Sequence, residues 1–563
     1  MDFKRNALFV GLAVISYLML LAWNEDYPAQ APANSTATST VATIDYTNSD
    51  LPSPSQTDNA DLPQVEASTP SNTRENSNNS SNLITIDTPV HRVSIDLLGG
   101  DIVSLSLPKY PAALETPDQP FTLLKNDNTG IYISQSGLIG LNGPDASDSG
   151  RPLYQSTQAS YSLSENDKEL SIDLNFTDTN NVLITKRFTF SPNDYLIKVQ
   201  YIIKNQSQDN WNANLFGQIK RDRAEDPSSA GGVGMKTYLG AALTTDNDPY
   251  KRIDFDDIDD NSSSENVVGG WIAFSQHYFI SSWIPDGESL NTYTTRKNNK
   301  GEYILGFVSP ETSVSSGTTK TIDSSFWAGP KDQYRLEEIS ENLGLTIDYG
   351  FLWFIAQPIF WLLVQVNDLF GNYGWSIIGM TVIIKLLFSK LSASSYRSMA
   401  KMRRLAPKIA QLKDRYGDDK QKIMQEQMAL WKKEKVNPLG GCLPMLLQMP
   451  VLMGIYWVLN ESVELRQAPF ILWYTDLSIM DPYFILPLIM GASMFISQTM
   501  TPMTTADPMQ AKIMKFMPVV FTVFFLWFPS GLVLYWLVSN VFNISQQWYI
   551  NKKVNSEYEN KSK

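Results

Sequence analysis

The sequence predicts a two-part protein: an α-helical polytopic membrane core of six transmembrane helices with a helical hairpin on one side, joined to a large all-β sandwich domain on the other. Three observations carry this. Residues 24–345 hold 22 Lys and Arg against 43 Asp and Glu, whereas the rest of the chain holds 23 against 15. The acidic part alternates apolar and polar residues, as half-buried strands do. The basic part is a series of long apolar runs, the signature of membrane helices.

Taken in order, Lys4 and Arg5 precede the apolar run Ala7–Trp23. Its length favours an uncleaved signal anchor over a cleaved leader, so residues 1–24 are read as the first crossing. Residues 25–82 are polar and rich in Ser, Thr, Asn and Pro. They cannot bury a core and read as a flexible linker. Residues 83–345 read as the β domain. In "LSIDLNFT" the residues Leu170, Ile172, Leu174 and Phe176 share one face, and "VSIDL" and "IKVQYII" repeat the pattern. The acidic run Asp254–Asp260 lacks the carboxylate and glycine spacing of a calcium loop, so it is expected to be a solvated loop. "LEEISENLG" is expected to form a short helix leading to the membrane.

Six further apolar runs follow. The first, in 346–371, contains Gln357–Pro358, Trp353 and Trp361 and reads as an interfacial helix on the outer surface. The others are crossings at 372–391, 437–459, 483–500, 513–529 and 531–550. A basic hairpin fills 392–436, an outer loop 460–482, an inner loop 501–512 and an inner tail 551–563. The orientation follows from charge. From Lys390 to Asn437 there are 13 Lys and Arg against 5 Asp and Glu, which places the hairpin in the cytoplasm. Lys4 and Arg5 place the N-terminus there too, so an even number of crossings separates the two. Three apolar runs occupy that interval, and the interfacial run is the one that does not cross. Both termini are then cytoplasmic.

Within the hairpin, Gly417 is expected to end the first helix and Asp418 or Asp419 to cap the second. Met402, Leu405, Ile409 and Leu412 form an apolar stripe. Such a hairpin serves equally as a lipid-hugging element or as a docking surface for nascent chains and the ribosome.

The crossings contain one feature that hydrophobicity does not explain. Thr381, Lys385 and Ser389 are spaced by four on the second crossing. The other crossings supply Gln448, Ser493, Ser497, Thr522, Tyr535, Ser539, Asn540 and Asn543, with no carboxylate in crossings two to six. A coupled transporter would need an intramembrane carboxylate or inverted repeats, and neither is present. A lone lysine either snorkels toward Lys390, about 7.5 Å along the helix, or faces a wet cavity open to the cytoplasm. One cysteine, Cys442, and two distant histidines, His91 and His277, give no basis for a metal site or a nucleophilic triad. There is no nucleotide-binding motif.

The motifs "NPLGGCLPMLLQMPVL", "ELRQAPFILWYTDLS", "DPMQAKIMKFMP" and "FFLWFPSGLVLYW" resemble those of the YidC/Oxa family of membrane protein insertases. The resemblance spans Tyr349 to about Ile550. The anchor, linker and β domain are similar to the Gram-negative form of that family. It implies an inner-membrane insertase and chaperone acting on nascent membrane proteins, alone or beside the Sec translocon, without a cofactor, a metal or enzymatic chemistry. It also implies a five-helix core around a hydrophilic groove closed outward, and a periplasmic super-sandwich similar to mutarotase-like folds. The substrate-contact positions that carry over are Thr381, Lys385, Gln448, Met449, Pro450, Tyr535 and Trp536. Ser389 and Asn540 join them from the polar faces. Many family members have arginine at the position of Lys385, so the charge is kept here while the planar fork is lost. The resemblance favours the cavity over snorkelling. A structural assembly scaffold for membrane complexes is the alternative function.

Overall fold

The computed structural model describes residues 82–562 except 147–149, 229–236, 418, 435, 437–442 and 501–507. The expected anchor, nearly all of the linker, the start of the third crossing, Asp418, Cys442 and much of the inner loop 501–512 lie outside the described residues.

Period-2 hydrophobicity becomes a two-sheet sandwich. Between Leu83 and Pro330 ten described strands form one sheet and eight the other. In Leu170–Thr177, Ile172 and Leu174 are buried, and the strand pairs antiparallel with Val182–Phe190. Leu196–Asn205 then bridges Val182–Phe190 and Thr319–Pro330. In the larger sheet, Trp211–Arg221 lies between Gly130–Ile139 and Tyr303–Val314. Ile95, Leu105 and Leu124 from one sheet meet Phe188, Val199, Tyr201 and Phe326 from the other in a common core.

Two expectations in this domain are corrected. The acidic run is no loop: Phe255–Asp260 forms a short helix, α1. Phe255 and Ile258, three positions apart, are both buried, and the Asp254 N–H donates to Asp257 Oδ2 at 3.0 Å. The outward acids are paired, Asp256 with Arg223 at 2.6 Å and Asp259 with Arg223 and Lys297 at 3.2 and 2.5 Å. The short helix after the sandwich, α2, runs Gln333–Ile339 and so starts and stops earlier than expected. The Asp332 carboxylate accepts from the Arg335 N–H and sets its start.

The helical region follows as α3 (Trp353–Phe370), α4 (Tyr373–Leu387), α5 (Ser389–Tyr416), α6 (Lys420–Lys433), α7 (Leu443–Glu461), α8 (Ile485–Met500), α9 (Pro508–Phe524) and α10 (Ser530–Ser562). Helix length alone does not reproduce six crossings. Among the described residues only Gly350–Phe370 is long and apolar enough by itself, and α4 with α5 qualifies only as a pair bent by 67°. Yet α3 lies across its neighbours. Ile355 and Ile359 pack at Gly454 of α7, whereas Val366 and Phe370 pack at Gly379 of α4. Both glycines sit about 10 Å from the outer ends of their helices.

The helix in the expected second crossing, α4, ends at Leu387. Phe388 caps α4, the chain turns, and the Ser389 carbonyl accepts from Gln546 Nε2 at 2.8 Å. Gly417, at φ 53°, ends α5, and the Asp419 carboxylate accepts from the Lys422 N–H at 3.0 Å. α10 continues beyond Ile550 to Ser562, so the expected tail is helical over most of its length. Ile550 and Val554, one turn apart, pack on Tyr396, Met399, Met402, Leu405 and Ile409 of α5. Met402, Leu405 and Ile409 of the hairpin's apolar stripe thus share one core with the end of α10 and with Leu430 and Trp431 of α6.

The outer loop is built into the β domain. Val463 joins the sandwich core. The Arg466 guanidinium lies over Phe121 and Phe279, 5.5 Å from each ring, and donates to the Pro111 carbonyl at 2.8 Å. His277 Nε2 donates to the Asn460 carbonyl at the end of α7, at 2.8 Å. The other histidine, His91, is buried in the sandwich and donates to the Ala328 carbonyl at 2.8 Å. Burial lowers both histidines from 6.5 to about 4. The unfolded chain therefore binds more protons between pH 4 and 6.5, so this stabilisation is complete above pH 6.5 and lost as pH falls toward 4. Each histidine accounts for about 3 kcal/mol. In urea titrations of the solubilised protein, His91→Gln should remove its share of the stability change between pH 6.5 and 4. An unaltered pH profile would show that His91 does not titrate as described.

Candidate functional site

The site begins with the start of α4. The Asn372 side chain accepts from the Trp375 N–H at 3.2 Å and sets the helix phase. Thr381 and Lys385 then fall on the face toward α7 and α10. Lys385 Nζ donates to Gln448 Oε1 of α7 at 3.0 Å and to Asn543 Oδ1 of α10 at 3.2 Å. Gln448 Nε2 in turn donates to Ser539 Oγ at 2.9 Å. Among the described residues no carboxylate pairs with Lys385. The ammonium is solvated by two neutral amide oxygens, one from each of two helices distant in sequence.

A cavity of about 30 Å³ adjoins the ammonium, lined by Lys385, Gln448, Asn543, Tyr535, Ser392 and apolar side chains from α4, α5 and α7. That is room for a water or two. The Gln448 and Asn543 amides occupy the ground beside the charge, and this small polar space adjoins them. It reaches Leu391 and Ser392 at the start of α5, the end of α4 that leads into the hairpin.

The expected site residues divide. Lys385, Gln448 and Tyr535 come together. Thr381 is fully buried, and its hydroxyl donates to the Ile377 carbonyl at 2.6 Å, so it lines the helix contact without touching the ammonium. Ser389 does not share the face of Lys385, because the chain bends before it. Met449 and Pro450 are exposed on the outside of the bundle. Trp536 packs on Phe521 and Phe525, with ring centroids 6.2 and 5.0 Å away. Asn540 Nδ2 donates to Ser493 Oγ of α8 at 3.0 Å. The helical period explains the division: Tyr535, Ser539 and Asn543 recur every four residues on one face, and Trp536 and Asn540 lie about 100° around from them. Ser539 and Asn543, noted in the sequence only as polar, belong to the site. Their spacing from Tyr535 was the signal.

The fold and site define a protein with a large β-sandwich, a helical C-terminal region and a half-buried, amide-solvated cation among its helices. A family model described as the YidC periplasmic domain matches residues 83–362, and one described as 60Kd inner membrane protein matches residues 365–557. A membrane protein insertase YidC from Pseudomonas putida is 53% identical over 555 residues, covering 98% of each chain. One from Azotobacter vinelandii is 52% identical over 556 residues, covering 98% of this chain and 99% of that one. A crystal structure of an active YidC insertase with its first transmembrane domain resolved aligns at TM-score 0.38 and 17% identity, covering 84% of this chain and 93% of that one. This chain belongs to the YidC family of inner-membrane proteins.

The site geometry makes a labelling prediction. With Cys442 replaced, a cysteine at Ser392 should react with a water-soluble maleimide added from the hairpin side, and one at Thr381 should stay protected until the protein is unfolded. Equal labelling of the two would contradict the packing described.

Proposed function

We propose that this chain is a membrane protein insertase that uses the Lys385 charge to draw the acidic tail of a nascent membrane segment part-way across the bilayer. The single observation that carries the charge role is that Lys385 is held among helices with neutral acceptors and no counter-carboxylate among the described residues. A cation solvated by dipoles keeps its net charge and attracts an anion strongly where the dielectric is low. The nascent segment would slide along the lipid side of α7 and α9. Met449 and Pro450 on α7, and Ile513, Phe516, Val519, Val520 and Val523 on α9, are exposed apolar side chains that suit such a path. Partition of the apolar segment into lipid then drives release. The reading requires no bond-making chemistry and no nucleotide.

The remaining assignments belong to the same proposal. Six crossings with both termini cytoplasmic agree with the charge of the hairpin and with α3 lying across α4 and α7 near their outer ends. In that reading α3 is interfacial and α4, α7, α8, α9 and α10 are the five core crossings, with the β domain periplasmic. Docking to the ribosome would use the exposed hairpin cations, among them Arg403, Lys408, Lys432 and Lys433. Work beside the Sec translocon is implied by the family resemblance alone.

In proteoliposomes, Lys385→Gln should lower insertion of an acidic-tailed client about tenfold relative to a neutral-tailed one. Lys385→Arg should retain the preference. Insertion unchanged by Lys385→Gln would overturn the charge role.

A further inference from the structure

The two acceptors on Lys385 raise a question that the charge role alone does not answer. An ammonium has three donors. Two are taken by Gln448 Oε1 and Asn543 Oδ1, at 3.0 and 3.2 Å, and the ammonium adjoins the 30 Å³ cavity. Both acceptors are amides, the one side-chain class that offers a strong carbonyl oxygen without net charge. A carboxylate at either position would solvate the ammonium better and would also cancel it. Gln448 is held in this role by its surroundings. Gln448 donates its amide N–H to Ser539 Oγ at 2.9 Å, which turns its oxygen toward Lys385. Asn543 lies one turn beyond Ser539 on the same face of α10.

We propose that Gln448 and Asn543 are positioning and specificity-determining residues. They hold the Lys385 ammonium as an uncancelled charge beside the cavity, so that the site selects client tails by their carboxylates. They also act as stand-ins for the client. An incoming carboxylate takes over the donors that an amide oxygen held, and when the tail leaves the amide returns, so the ammonium is never left bare. The compact ammonium suits this exchange, because its donors rotate freely and are not locked in a planar fork. This inference rests on the insertase reading above and names the residues that set its selectivity.

The test is a mutant cycle in proteoliposomes, reading the ratio of insertion of an acidic-tailed client to that of a neutral-tailed client. Asn543→Asp places a carboxylate at the acceptor position with almost no change in shape. It should lower the ratio about tenfold, whereas Asn543→Gln, which keeps a neutral acceptor, should hold the ratio within about twofold. Gln448→Glu makes the same change on the other helix and should act in the same direction. In a Lys385→Gln background Asn543→Asp should produce no further fall, because its effect runs through the ammonium. An equal fall in that background would mean that the new carboxylate repels the tail directly, and the proposal would be wrong. A ratio unaltered by Asn543→Asp and Gln448→Glu, with Lys385→Gln still effective, would overturn this inference alone. A ratio unaltered by Lys385→Gln would overturn the charge role beneath it.

Discussion

One cation, Lys385, places a polar constraint on an otherwise apolar helical core. An ammonium among membrane helices costs several kcal/mol unless polar atoms surround it, and α4 contributes no acceptor to Lys385. The acceptors come from Gln448 and Asn543, 63 and 158 positions away in sequence. Satisfying Lys385 therefore ties α7 and α10 to α4. The contacts made by those helices fit this arrangement: Thr381 is sealed against its own backbone, Tyr535 is buried beside the cavity, and Asn540 is used to join α10 to α8.

A second constraint acts on the outer side. The loop between α7 and α8 is held through Val463, Arg466 and the Asn460 carbonyl by the β domain. The same loop meets the start of α10, where Ser530 N–H donates to the Ile479 carbonyl at 2.7 Å. The sandwich thus braces the ends of the helices that carry the acceptors. At the other end of the helices the hairpin is braced in turn by the extension of α10. One helix runs from the outer turn past Asn543 to Ile550 and Val554, so it links the outer turn, the cation site and the hairpin.

The legible and illegible parts of the sequence divide along the range of the interactions involved. The sandwich was legible because strands such as Arg92–Asp96, Leu170–Thr177 and Leu196–Asn205 carry their own period-2 record. The hairpin was legible because Gly417 and Asp419 act within one turn. The acidic run was misread because its burial depends on Phe255 and Ile258 finding partners, and its charges on Arg223 and Lys297, all supplied by the fold. The helical course beyond 550 was illegible for the same reason: Ile550 and Val554 are only two apolar residues until α5 lies against them.

For the site, the sequence by itself determined that a cation sits in an apolar run, that no carboxylate shares the runs from 372 onward that were read as crossings, and that polar residues recur on several of them. Those are matters of composition and of spacing along one helix. Only the tertiary structure decided which polar residues meet the cation. It chose Gln448 and Asn543, set Asn540 and Trp536 on another face, and removed Ser389 by a bend after Leu387. The physical reason is that a hydrogen bond between helices depends on their relative rotation and depth. Those are set by packing over the whole bundle and are not written in any one segment.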